Sequence, residues 1–301
     1  MTENLDSLKI NFNSEGLWVL NITLAIIMFG VALGITLDDF KRLIKNPKIL
    51  ITGIISQFIL LPLLTFFFIK IVNPMPSIAL GLMMVAACPG GNISNFLSQL
   101  AKGNAALSVS LTAFSTLICL VMTPFNLHFW GNLYAPTAQI LQTIELNPWE
   151  LVKLVMLILG VPMILGMLFR SKNPLYAQKL AKILKPISLI IFITFIIIAF
   201  SDNFDIFINY IHYVFLFVIA HNILAIALGF YFAKLMKLSY QNQKTLAIET
   251  GIQNSGLGLL LIFSFFDGLG GMALLVAFWA IWDIISGLLI AGYWSREKIN
   301  D

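Results

Sequence analysis

Apolar residues in this chain come in long blocks, not in the alternation of strands or the single stripe of a soluble amphipathic helix. A helix rises 1.5 Å per residue, so roughly 20 mostly apolar residues are needed to cross a hydrocarbon core about 30 Å thick. Nine blocks approach that length, at about 17–37, 48–72, 76–100, 104–125, 148–169, 183–201, 210–235, 243–266 and 268–293. The pattern predicts an all-α integral membrane protein with nine transmembrane helices. Residues 126–147 are too polar to span. They are predicted to be an external interfacial connection, with Phe129, Trp130 and Tyr134 at headgroup level.

Composition narrows the class. The 301 residues are 59% hydrophobic and 11% charged, against about 25% charged in soluble chains. One membrane domain, 17–293, is expected between an N-terminal tail, 1–16, and a C-terminal tail, 294–301. Residues 1–16 have no basic stretch, and no small-residue cleavage site follows the first block, so no cleavable signal peptide is expected. The net charge of +4 is explained by topology and calls for no nucleic acid partner. With nine spans, 15 of the 18 Lys and Arg fall on one side, and only Lys9, Lys70 and Lys153 on the other. The positive-inside rule then places the N-terminus outside and the C-terminus in the cytoplasm, in the cell (plasma) membrane. Cys88 and Cys119 have neither metal-ligand nor disulfide spacing and read as packing residues.

Two blocks are interrupted by polar residues and helix breakers. The third holds Pro89, Gly90, Gly91, Asn92, Ser94 and Asn95, and the eighth holds Glu249, Thr250, Gly251, Gln253, Asn254 and Ser255. Backbone that leaves the helix at membrane depth has to face protein or a wet cavity, because lipid cannot satisfy it. Spans one to four run plain, plain, broken, plain, and spans six to nine repeat that order. With an odd span between them, the second set is inverted relative to the first. This is the pattern of a transporter with its site where discontinuous helices meet.

The chemistry at the breaks is oxygen-rich. Glu249, Asn95, Gln253, Asn254, Ser94 and Ser255 offer hard ligands, and one carboxylate among neutral oxygens suits a monovalent cation. A carboxylate at mid-membrane costs at least roughly 2.5–3.5 kcal/mol to insert and usually marks an ion or substrate path. Ser108, Thr112 and Thr116 share one helical face; by spacing alone such a stripe more often means close helix packing than ligands, and the same holds for Gln57. Asp283 is a second intramembrane acid, open to cation binding, proton relay or polar pairing. His212 reads as interfacial and His221 as a deeper packing group. Breaking a helix also exposes the positive N-terminus of its second half, which favours an anionic substrate group without any core Lys or Arg. The sodium-coupled and proton-coupled readings (the latter through Glu249 and Asp283) both remain, with a channel as a further alternative. The chain has no HExxH or GxSxG motif, so nothing points to an enzyme.

CPGGNISN at 88–95 followed by LAKGNAALSVSLTAFST at 100–116, ETGIQNSGLG at 249–258, SQFILLPL at 56–63 and the pair at 221–222 resemble the bile acid:sodium symporter family. The resemblance covers about 17–293. It implies an inverted-repeat bundle with two crossing discontinuous helices, a core (about 48–125 and 210–293) and a panel (about 17–37 and 148–201). It implies sodium-coupled symport of a small organic anion, bile-acid-like or another organic acid, by alternating access, with two Na⁺ as coupling ions and no other cofactor. Sodium site 1 would comprise Ser94, Asn95, Ser108, Thr112 and Glu249. Site 2 would comprise Gln57, Glu249 and Gln253 with the carbonyls of Thr250 and Ile252. Substrate would lie near Asn92, Ile93, Asn254, Ser255 and Asp283. The chain departs from bacterial members of that family in lacking an extra first helix, in Asn92 where they have threonine, and in Asp283 where they have histidine.

Overall fold

A computed structural model describes residues 5–6, 8–10, 14–36, 41, 44–144 and 147–297. The helices are α1 (Ser14–Ala32), α2 (Pro47–Val72), α3 (Pro76–Ala87), α4 (Ile93–Leu100), α5 (Ala105–Leu133) and α6 (Ala135–Thr143). Then come α7 (Pro148–Val155, a π turn Met156–Gly160, and Val161–Lys172), α8 (Pro174–Asp202), α9 (Phe204–Leu235), α10 (Tyr240–Gly251), α11 (Ser255–Phe265) and α12 (Gly270–Arg296). Among the described residues, five helices are long and apolar enough to cross a membrane: Pro47–Val72, Ala105–Leu133, Trp149–Lys172, Phe204–Leu235 and Gly270–Arg296. Asn21–Ala32, Pro76–Ala87 and Ser255–Phe265 are shorter apolar helices. The expected sixth block, 183–201, falls on α8, many of whose side chains lie outside the described residues. So do Arg42 and parts of both expected tails.

α1 lies against the second half of α7 and against α8, with Leu33, Ala177 and Ala181 buried among Phe29 and Phe169. α3 packs on α5 and α12, α10 on α9, and α11 on α12. The largest apolar cluster includes Leu80, Met84, Leu261, Leu274 and Trp279 together with Leu24 of α1 and Leu159 of α7, and both cysteines are buried and unbridged.

Helix α2 carries a π turn at Ser56–Leu60, and the sequence explains it. Pro62 has no N–H to give to the carbonyl of Phe58, four residues back. The helix widens there, with Leu61 N–H donating to Ser56 O. The freed Phe58 carbonyl accepts instead from Asn126 Nδ2 at 2.9 Å. α7 repeats the arrangement, with its π turn just before Pro162.

One expectation needs correcting. Residues 126–147 are not a simple connection: α5 continues to Leu133, and α6 folds back to pack on α3 and α5. Polar groups there find protein partners, as in Thr137 Oγ1 donating to Gly131 O at 2.6 Å and Tyr134 OH to Asn73 Oδ1 at 2.5 Å. Tyr134 is therefore buried within the protein. The described residues of the expected N-terminal tail pack on the helices. Leu5 is buried, Asp6 Oδ1 accepts from Ser77 N at the start of α3, and Leu8 and Ile10 hydrogen-bond Gly270 and Gly268.

Candidate functional site

The two interrupted helices break where the sequence predicts and meet at their breaks. α3 ends at Ala87 and α4 begins at Ile93; α10 ends at Gly251 and α11 begins at Ser255. The intervening segments pair through an antiparallel bridge, Gly90 with Gln253. Gly91 N donates to Ile252 O at 2.8 Å, and Asn254 N to Pro89 O at 2.9 Å. Unwound backbone in each segment thus satisfies the other. This approach requires glycine: a Cβ on Gly91 would lie 2.7 Å from Gln253 O, and one on Gly90 2.8 Å from Glu249 O. The last α3 carbonyl, Ala87 O, accepts from Thr123 Oγ1 at 2.6 Å.

Glu249 lies in the last turns of α10, with 0% exposure. Its carboxylate accepts from Ser94 Oγ at 2.5 Å, from Ser108 Oγ, and from Thr112 Oγ1 at 2.9 Å to Oε2. Asn95 Oδ1 lies 3.0 Å from Ser108 Oγ and 3.3 Å from Thr112 Oγ1. All five residues expected at the first cation site therefore form one cluster, drawn from α4, α5 and α10. Among the described residues no Lys or Arg pairs with this carboxylate. Thr116 stands apart, its hydroxyl turned back to Thr112 O at 2.7 Å.

The second expected group lies on the other side of the same turn. Gln57, in the π turn of α2, donates through Nε2 to Glu249 O at 3.0 Å and accepts from Ser115 Oγ at 2.6 Å. Gln253 Nε2 donates to Thr250 O at 2.6 Å, while its Oε1 is buried without a partner. Ile252 O is engaged by Gly91 N in the crossing. Ser56 hydrogen-bonds Thr250 at 2.8 Å.

The residues expected near substrate occupy the starts of α4 and α11. Asn92 and Ile93 are part-exposed at the start of α4. Asn254 Oδ1 caps α11 by accepting from Leu257 N at 3.1 Å, and Ser255 Oγ is buried without a partner. Asp283 faces the break itself: Oδ2 accepts from Gln253 N at 2.9 Å, and Oδ1 lies 3.4 Å from Asn222 Nδ2. Asn222 also donates to Gly251 O at 2.9 Å. His221 is buried beside Thr65, at 2.6 Å. Ser115, which bonds Gln57, and Ser56 and Asn126, which bond Thr250 and the Phe58 carbonyl beside it, were assigned no role from the sequence, where they look like ordinary small polar residues of membrane helices. Among the described residues no three His, Cys, Asp or Glu side chains gather to hold a metal.

The profile of the Sodium Bile acid symporter family matches residues 21–210. This chain belongs to that family. Relatives across most of its length agree. The "Uncharacterized sodium-dependent transporter YocS" of Bacillus subtilis (strain 168) is 34% identical over 96% of this chain and 88% of its own. The "Probable sodium/metabolite cotransporter BASS1, chloroplastic" of Arabidopsis thaliana is 31% identical over 92% of this chain and 66% of its own. The human "Ileal sodium/bile acid cotransporter" is 31% identical over 79% of this chain and 67% of its own. Membership of the sodium bile acid symporter family makes this a membrane protein of a sodium-dependent transporter family, whose members named here are called transporters rather than enzymes.

Proposed function

We propose that the chain is a sodium-coupled symporter of a small organic anion that works by alternating access. The observation carrying this reading is Glu249: a fully buried carboxylate, ringed by three hydroxyls, beside the Asn95 amide oxygen and, among the described residues, without a cationic side chain. Such a group is costly in a low-dielectric interior unless a cation joins it, and its oxygen-only surroundings suit Na⁺. The first ion is assigned to Ser94, Asn95, Ser108, Thr112 and Glu249. The second is assigned to Gln57, Glu249, Gln253 and the Thr250 and Ile252 carbonyls. Asn92, Ile93, Asn254 and Ser255 sit at the N-termini of α4 and α11, where N–H groups and the helix dipole favour an anionic group. Asp283 accepts from the Gln253 N–H and fixes the break beside the substrate site.

In this mechanism sodium neutralises Glu249 and draws α4, α5 and α10 together, which shapes the substrate site at the crossing. The core (48–125 and 210–293) then moves against the panel (17–37 and 148–201), two inverted repeats in a nine-span bundle with the N-terminus outside. Glu249→Gln keeps shape and removes charge. Purified wild-type protein is expected to gain thermal stability as Na⁺ replaces choline, and Glu249→Gln to lose that response and sodium-driven uptake in proteoliposomes. Equal sodium dependence in both would remove the central assignment, and uptake driven by a pH gradient alone would replace sodium with protons.

A further inference from the structure

Lys244 is 3% exposed, although it lies in the first turns of a helix that begins at a polar loop. Its Nζ is 3.0 Å from Glu297 Oε2 and 3.4 Å from each of the Ala101 and Trp294 carbonyls. A lysine ammonium has three N–H donors, and here three acceptors receive them. The carbonyls belong to helix ends: Ala101 is the C-cap of α4, and Trp294 lies in the last turn of α12. Both ends carry partial negative charge, so the cation suits them. The Tyr240 ring lies under the ammonium at 4.6 Å, and its hydroxyl donates to Glu297 Oε2 at 2.8 Å.

The ammonium therefore ties together the ends of α4, α10 and α12. Two of these carry the proposed cation site, Ser94 and Asn95 on α4 and Glu249 on α10. Glu249 lies five positions beyond Lys244, a rise of about 7.5 Å along α10. A second set of bonds joins α10 to the start of α5, which carries Ser108 and Thr112: the α5 N-cap Asn104 donates through N to Thr245 Oγ1 at 2.8 Å and through Nδ2 to Asn242 Oδ1 at 2.9 Å. A buried ion pair by itself is weak evidence for stability, since apolar replacements are often neutral. What three directed bonds supply is a fixed relation between the halves of two broken helices.

We propose that Lys244, held by Glu297, is a positioning residue for the sodium site: a tethered cation that sets α4 against α10 so that Ser94 and Asn95 meet Glu249. The proposal rests on the sodium reading of Glu249. The test is sodium titration of thermal stability with the purified full chain, NaCl replacing choline chloride. Lys244→Met is expected to raise the half-saturating sodium concentration at least about fivefold, a modest coupling between distinct sites. Glu297→Gln should shift it the same way by less, and Lys244→Arg should stay nearer wild type than Lys244→Met. If Lys244→Met does not fold, Glu297→Gln carries the test. Variants that melt lower in choline but keep the wild-type sodium midpoint would make the clasp merely structural and overturn the proposal alone. A wild type with no sodium response would overturn the sodium reading and this proposal together.

Discussion

Gly91 allows one backbone to reach another, and the cost of changing it follows from what stands nearby. A methyl group there would meet the Gln253 carbonyl, which is backbone and held by the crossing. Overpacking of this kind typically costs about 1–3 kcal/mol. Gly91→Ala is expected to lower the melting temperature and to cut sodium-driven uptake more than stability alone explains. Gly292, within α12, where an added Cβ would meet nothing within 4 Å, is the control, and Gly292→Ala should not destabilise but gain up to about 1 kcal/mol from helix propensity. Glu297 makes a different residue-level prediction. The Lys244 ammonium, and then the Tyr240 hydroxyl, hold its carboxyl below the usual glutamate value. Its lowered folded-state pKa means that its stabilisation is complete above the ordinary value and disappears as pH falls through the lowered one. The melting-temperature gap between wild type and Glu297→Gln should therefore be constant at neutral pH and close only on strong acidification.

At the scale of elements, the π turn of α2 links a proline to a ligand. Pro62 frees the Phe58 carbonyl, Asn126 satisfies it from α5, and the widened turn carries Ser56 and Gln57 to the end of α10. Asn126→Ala would leave a buried carbonyl unpaired, at about 1–3 kcal/mol. Thermal melting should register that loss, and sodium affinity should fall because Gln57 shifts. Purification at wild-type stability would refute this account. The same helix shows why the sequence was only partly legible. Pro89, Gly90 and Gly91 announce their break because these residues disfavour helix wherever they stand. The second break was legible from the polar run between Glu249 and Ser255, which no lipid-facing helix tolerates. A π turn leaves no such mark, since Ser56 to Leu60 read as plain helix. The fold of 126–147 was hidden for another reason. Its polar residues looked destined for water, but Thr137 and Tyr134 bond to protein groups that only tertiary packing brings near. Lys244 escaped notice likewise: beside a polar loop it counts as one more topogenic charge until Ala101, Trp294 and Glu297 converge on it.

For the whole molecule, the decisive quantity is net charge moved per cycle. Two cation assignments share a single carboxylate, Glu249, and the proposed substrate site offers helix N-termini to one anionic group. Two Na⁺ with one monoanion would carry one net positive charge inward. A membrane potential of 100 mV, negative inside, then contributes about 2.3 kcal/mol per cycle, or roughly 50-fold in accumulation at about 1.4 kcal/mol per tenfold. Proteoliposomes with equal sodium on both sides, polarised by potassium diffusion through valinomycin, isolate this effect. Uptake of a monoanionic substrate should rise on polarisation in the wild type. If Gln57 serves the second ion alone, Gln57→Ala should reduce that voltage dependence more than Ser108→Ala, which touches the first group, and the order would reverse if the assignment is interchanged. Voltage-independent uptake that still required sodium would mean one ion per monoanion, leaving the Gln57 and Gln253 cluster as a support for the Glu249 turn rather than a second cation site.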